Sequence, residues 1–447
     1  MPPPPTSDRR PAPVFGRTLR FGLLILAAGS AAADAQEAQG DFVAPPGFRP
    51  TKETDPDWFR SDPRAVSSFE GLPAAFADTL IGMTPEEELQ EAQRYMRRQS
   101  GKLRFGKLDT ASREAVGVWS IWRAAQLTSA ESRLEVARIK SEIFRDMSGL
   151  ASIERVPAKK RQFRNFALGE LLRQLKTLLD AGNPTRLNAV VLMGLMRTAP
   201  PNAAGVGSPP VSFAPALPVL VGVLDDVAQH DAIRAAAVRG IGRVLRDEET
   251  VPTQDEFLAA ASLSNWLVDK DQHLWIRRSI LEAMSWLDVS LDQARKPVVY
   301  DATKKTLSDA TNPPFLRGAA CRTIARIPLP PRVQESAVAE LIAACAADLA
   351  DGYNNRPANR EYLIAFWEIY LSFAAIDEDD ERVLMREGDS MLGKFLNNRP
   401  AAITAIFNQG VLPVIRHVLK NSKSPRPIPP ATLAPLQNQA AALVAKP

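Results

Sequence analysis

The chain has 447 residues, with 55 Lys and Arg, 51 Asp and Glu, 3 His and 2 Cys, and 45% of it is apolar. That apolar share excludes a wholly disordered chain. Two Cys exclude a disulfide scaffold or a multi-cysteine metal centre, and His230, His273 and His417 leave little for a histidine-rich one, so no cofactor is expected.

Arg9, Arg10, Arg17 and Arg20 precede an apolar run over 21–33, which Ala33-Asp34-Ala35 closes with small residues at the two positions a signal peptidase reads. Residues 1–35 therefore read as a secretory signal peptide cleaved after Ala35, with a retained signal anchor as the alternative. The run is shorter than the roughly 20 apolar residues a membrane span needs. No later stretch reaches that length uninterrupted, so no stable membrane span is expected after signal removal, and the chain is expected in the periplasm or the medium.

Charge is distributed unevenly beyond residue 35. Residues 36–93 carry net −8, residues 94–176 net +11, and residues 177–447 net −1. The whole chain is only +4, so no nucleic-acid partner is expected. Residues 36–83, with Pro45-Pro46-Gly47 and scattered charges, predict an irregular leader. Thr84-Pro85-Glu86-Glu87 then reads as an N-cap, a first-turn Pro and a capping-box Glu, opening an N-terminal helical cap over 84–158.

The basic stretch is the candidate partner site. Arg94, Arg97 and Arg98 fall on neighbouring positions of one helix, with Lys102, Arg104 and Lys107 directly after, while Lys159, Lys160, Arg161 and Arg164 open the next segment. Such a surface would attract an acidic protein, an anionic polymer or a charged membrane surface. The competing reading is a set of solvated helix faces partly neutralised by the acidic leader.

Leu168, Leu171, Leu172, Leu175, Leu178 and Leu179 have the 3.6-residue period of an amphipathic helix, and strand signals are nearly absent throughout. From about residue 180 a register recurs. Leu224, Asp226, Ile233, Arg234, Ala237, Val238 and Ile241 are matched at identical offsets by Leu267, Asp269, Ile276, Arg277, Ile280, Leu281 and Met284. Leu307, Asp309, Leu316, Arg317, Ala320, Cys321 and Ile324 match them again. Weaker copies centre on Arg186, with Leu178 and Asp180, and on Arg360, with Leu363, Ile364 and Trp367.

Repeats of this length, each a helix pair too small to bury its own apolar face, stack on their neighbours. The pattern of an apolar residue before Arg, and further apolar residues three, four and seven positions after it, resembles the HEAT repeat. The resemblance implies an all-α, right-handed α-solenoid of HEAT/armadillo type over 159–420 that binds macromolecules. It departs from the usual pattern in its longer Asp-to-Arg turn, and the first-helix Pro survives only at Pro218. In such stacks Asp226, Arg234, Asp269, Arg277, Asp309 and Arg317 would form a structural ladder at the turns, with an outward arginine row as the alternative. Residues 199–215 read as a Pro-rich loop between repeats, and 421–447 as a Pro-rich tether with a short terminal helix.

Candidate chemistry is sparse. G-x-x-x-x-G-K occurs at 101–107 and 388–394, but Leu108 and Phe395 stand where a phosphate loop needs Ser or Thr. Asp377-Glu378-Asp379-Asp380-Glu381 lacks the Gly and the final Glu of a calcium loop. Cys321 and Cys345 pack as small apolar residues or, after export, form a bridge if close enough. Trp266, Trp275, Trp286 and Trp367 sit at helix-core spacings, with a sugar-stacking surface as the alternative. No nucleophile–base pair is present, so the expected function is a non-catalytic exported scaffold that binds a protein or an anionic envelope component. The alternative is a helical-repeat enzyme or binder acting on a polysaccharide or other anionic ligand.

Overall fold

The computed structural model describes residues 63–130, 133–199, 210–247, 251–373, 390–391 and 400–444. The chain divides into two compact parts, 1–55 and 56–447, and the first lies outside the described residues, as does the expected signal peptide. Among the described residues the fold is all-helical except for one two-stranded ribbon.

Local chemistry sets the helix ends. Thr84 Oγ1 accepts from the Glu87 N–H while the Glu87 carboxylate accepts from the Thr84 N–H at 2.7 Å, so α1 (Pro85–Phe105) starts at Pro85. It ends at Gly106, whose φ of 70° is the left-handed cap that glycine adopts most cheaply. Asp109 accepts from the Ser112 N–H at 2.8 Å and opens α2 (Thr110–Ser129). α2 is buried on nearly every face, from Val116 to Thr128, and packs against α1, α3 (Arg133–Gly149) and α4 (Pro157–Thr177).

Residues 63–83 correct the expected irregular leader. Short helical segments at Val66–Ser68, Ala74–Ala77 and Asp78–Leu80 bury Val66, Phe69, Phe76 and Leu80. Ser67 donates to the Glu88 carboxylate from both its N–H and its hydroxyl, and Arg64 donates to Thr177 O at 2.8 Å. Four apolar anchors at uneven spacing carry no period, which is why this strap reads as coil.

From α4 onward the helices come in pairs. α4 pairs with α5 (Asn183–Met193), α6 (Leu217–Asp225) with α7 (Asp231–Asp247), and α8 (Thr253–Val268) with α9 (Leu274–Met284). α10 (Val298–Ser308) pairs with α11 (Pro314–Arg326), and α12 (Glu335–Asn355) with α13 (Arg360–Phe373). The second helices α5, α7, α9, α11 and α13 each pack on the next, and α6, α8 and α10 do likewise. Small residues permit the approach: a Cβ on Gly318 would lie 2.5 Å from Ala365 Cα, and one on Gly194 would lie 2.6 Å from Gly240 Cα. Ile233, Ile276 and Leu316 occupy equivalent buried positions.

The weak copy on Arg360 is out of register. Its expected core residues Leu363, Ile364 and Trp367 are only half-buried, and Ala365, Phe366 and Ile369 are buried in their place. The core of α13 is thus shifted by two residues, and Tyr362 stands where the repeat arginine would be. The Pro-rich stretch over 199–215 is not simply a loop, because β1 (Arg197–Ala199) pairs antiparallel with β2 (Val211–Ser212) at its base.

At the C-terminal end, α14 (Ala401–Lys420) is long and apolar enough to cross a membrane by length and composition. Its Ile403, Val411, Val414, Ile415 and Val418 are instead buried, and it packs on α12, α13 and α15 (Pro430–Val444). The tether before α15 is clamped by Asn354, which accepts from the Ile428 N–H at 2.6 Å.

Candidate functional site

The turns between paired helices show what the repeated polar residues do. Asp226, Asp269 and Asp309 each accept from the backbone N–H two residues on, at 2.9, 3.0 and 2.9 Å, closing an Asx turn. The arginines reach forward instead. Arg186 donates to Gln229 at 3.1 Å, Arg234 to Gln272 at 3.4 Å and Arg277 to Asn312 at 3.1 Å, each the residue three positions after the Asp of the next pair. Arg317 takes the same step to Asp348, which lies in α12 because that helix runs on past the usual turn position. Arg277 and Arg317 also donate Nε to the carbonyl ten residues back, Leu267 O at 2.8 Å and Leu307 O at 2.9 Å.

Sequence reasoning did not single out Gln229, Gln272 and Asn312. Nor did it single out His230 and His273, whose Nδ1 atoms accept from the N–H groups of Ala232 and Trp275 at the helix starts. The signal was legible as D-x-x-[QN] followed by His or Pro. Lys270 adds a 2.8 Å ion pair to Asp309, and this bond with those from Thr311 holds the carboxyl well below the usual range. Arg360 is exposed and has no comparable contact among the described residues.

The basic stretch is partly dispersed and partly joined. Arg94 and Arg98 both pair with Glu91, at 2.8 and 3.1 Å, on the exposed face of α1, and Arg97 is exposed beside them. Arg164 is a correction: it is buried, donates to Met147 O at 2.8 Å, and burial pushes its guanidinium down to about 10. It belongs to the core, because its position on α4 faces inward beside Phe163 and Ala167. Lys102, Arg104, Lys107, Lys159, Lys160 and Arg161 remain at the surface, where the end of α1 meets the segment leading into α4.

Further arginines gather on the second-helix row. Arg239, Arg243 and Arg246 lie at i, i+4 and i+7 of α7, so they share one face. Asp247 pairs with Arg246 at 2.7 Å and with Arg197 of β1 at 3.3 Å. Burial, and then the charges of Arg246, Arg239 and Arg197, lower the Arg243 guanidinium. On α9, α11 and α13, Arg278 and Arg322 hold Glu368 between them at 3.1 and 3.2 Å. This triad, with Glu282, Trp286 and Arg326, lines a cleft of about 120 Å³.

The remaining motifs resolve structurally. The 101–107 match is the C-terminal end of α1, where carbonyls rather than N–H groups point outward, so it cannot cradle a phosphate. The 388–394 match and the acidic run over 377–381 lie outside the described residues. Cys321 and Cys345 are buried free thiols, and the hydrogen bond to Cys345 together with burial pushes the Cys321 thiol up. The four tryptophans expected in the core are not fully buried: Trp275 is exposed and stacks on Phe315 at 5.5 Å, and Trp266, Trp286 and Trp367 are half-buried. Among the described residues no group of three or more His, Cys, Asp or Glu is placed to hold a metal ion. No protein-family model matches the chain, and no curated protein matches it.

Proposed function

We propose that this chain is a non-catalytic, exported scaffold: a right-handed, HEAT-like α-solenoid whose surface holds a protein or an anionic envelope component. The observation that carries this reading is the forward contact from Arg186, Arg234, Arg277 and Arg317 into the following pair. A contact that recurs from pair to pair transmits one geometry along the stack, which is how repeat proteins build extended binding surfaces. The ladder arginines are consumed internally, and the cations left at the surface, Arg239 and Arg246 on α7 and those at the end of α1, supply attraction for an anionic partner.

A second reading, an enzyme acting on a sugar polymer, is favoured by one observation: Glu282, Glu368 and Trp286 share a cleft. Against it, Glu368 is already engaged by two arginines, and ligand sites usually exceed about 300 Å³. Crosslinking in the intact envelope, followed by identification of the linked partner, tests the scaffold. A partner captured by the wild type and lost on Arg239→Glu/Arg243→Glu/Arg246→Glu supports it, and equal capture by both chains removes it. Polysaccharide cleavage that is lost in Glu282→Gln would favour the enzyme.

A further inference from the structure

Three large apolar side chains stand in water where the end of α1 meets the segment leading into α4: Phe105 is 53% exposed, Ile153 45% and Val156 46%. Backbone contacts hold this junction rigidly. Leu103 O accepts from the Ala151 N–H at 2.8 Å and Arg104 O from the Ile153 N–H at 3.0 Å. Gly106 makes the approach possible, since a Cβ there would lie 2.5 Å from the Ala151 Cβ.

Cations lie close along the chain to all three apolar residues. Lys102, Arg104 and Lys107 lie within four residues of Phe105, and Arg155, Lys159, Lys160 and Arg161 lie within five of Val156. None of the seven makes an ion pair among the described residues. Two carboxylates share the junction: Glu154 accepts from the Val156 N–H at 2.8 Å, and Asp109 accepts from the Ser112 N–H and lies within the field of Lys102 and Lys107. Counting both, the junction carries net +5.

We propose that this junction is a docking face for an anionic lipid surface. Phe105, Ile153 and Val156 enter the boundary between headgroups and acyl chains, while the neighbouring Lys and Arg meet the lipid phosphates. Exposed apolar tips on a junction of net positive charge match both halves of such an interface, hydrophobic and electrostatic. Long basic side chains keep their charge at headgroup level while their stems follow the apolar surface inward. An acidic protein would account for the cations but leave the three apolar tips without a role. The proposal names one partner within the scaffold reading and rests on it only for the anionic character of that partner. Its residues are separate from those of α7, so the two tests fail independently.

The test is co-sedimentation of the chain, purified after export, with phosphatidylglycerol-containing vesicles at about 0.15 M salt, with pure phosphatidylcholine vesicles as the reference. The expected result is binding to the anionic vesicles and partitioning at least about tenfold weaker to the neutral ones. Lys159→Glu/Lys160→Glu/Arg161→Glu and Phe105→Ser/Ile153→Ser should each lower anionic partitioning by about tenfold or more, with melting curves confirming that both fold. Failure to bind anionic vesicles overturns the proposal. So does undiminished binding of Phe105→Ser/Ile153→Ser, because attraction by charge alone is what an acidic protein would share. Phe105→Trp gives a milder reading: brominated anionic lipid should quench its emission beyond the wild-type level, and no added quenching overturns insertion.

Discussion

Arg123 in the N-terminal helices and Arg277 in the repeats are almost equally buried, at 3% and 4% exposure, yet they are held by different kinds of partner. Arg123 projects from the middle of α2, where nearly every position is buried. It is met by Asp146 at 2.6 Å and Glu142 at 2.9 Å from α3, lies over the Trp122 ring at 4.0 Å, and shares Asp146 with the Trp119 N–H. Arg277 instead donates to a backbone carbonyl and to a neutral amide. The difference arises from what each region must do. A repeat needs an acceptor that recurs at every step, and a helix C-terminus always supplies carbonyls. The N-terminal helices do not share the register and can rely on carboxylates placed for them alone.

The largest expected effect tests the repeat core: Ile276→Ala should cost about 2–5 kcal/mol in urea unfolding, as for buried aliphatics generally. A loss below about 0.5 kcal/mol would place Ile276 at the surface and remove the register. Arg123→Ala comes next, with a loss of about 2–3 kcal/mol, because it leaves two half-buried carboxylates without their cation. Arg277→Ala should cost about 2 kcal/mol, since the atoms it bonds are neutral and only the longer-range attraction of Asp309 and Asp269 is lost with them.

The two arginine variants should also separate by pH. Burial raises the Glu142 carboxyl, but the hydrogen bond and charge of Arg123, with Arg138 behind them, outweigh it and bring it below its ordinary value. A carboxyl lowered in the fold contributes stability above its unfolded value, near 4.5, and loses it as pH falls through the lower folded value. Between about pH 6 and pH 3 the wild type should therefore lose stability that Arg123→Ala no longer has, and the gap between them should narrow. The gap for Arg277→Ala should stay nearly constant over that range. Melting temperatures across the series decide it, and two parallel curves would mean that the N-terminal helices do not depend on those carboxylates. The smallest effect lies at the start of α1, where Thr84→Ala should cost about 1 kcal/mol by removing the hydroxyl half of its capping box.

Legibility tracked periodicity. The three strong copies of the repeat could be read because each places its apolar residues and Arg at one offset, and α7, α9 and α11 bury those positions. The copy on Arg360 misled because Leu363, Ile364 and Trp367 mimic the same spacing, while close packing of Ala365 on Gly318 selects a register two residues later. The candidate site divided in the same way. Net charge located the basic stretch, but nothing in a run of Lys and Arg separates Arg164, turned into the core, from Lys160 and Arg161 beside it.

The helical class, the helix start at Thr84 and the spacing of the three strong repeats were all fixed locally, because caps and 3.6-residue periods are properties of neighbouring residues in the chain. Which residue each arginine meets in the next pair follows from packing between helices. Tertiary packing alone folded residues 63–83 down as a strap and brought Phe105 beside Ile153 among unpaired cations. Those outcomes depend on contacts between segments tens of residues apart, and such contacts are set by which faces remain to be buried once the local helices have formed.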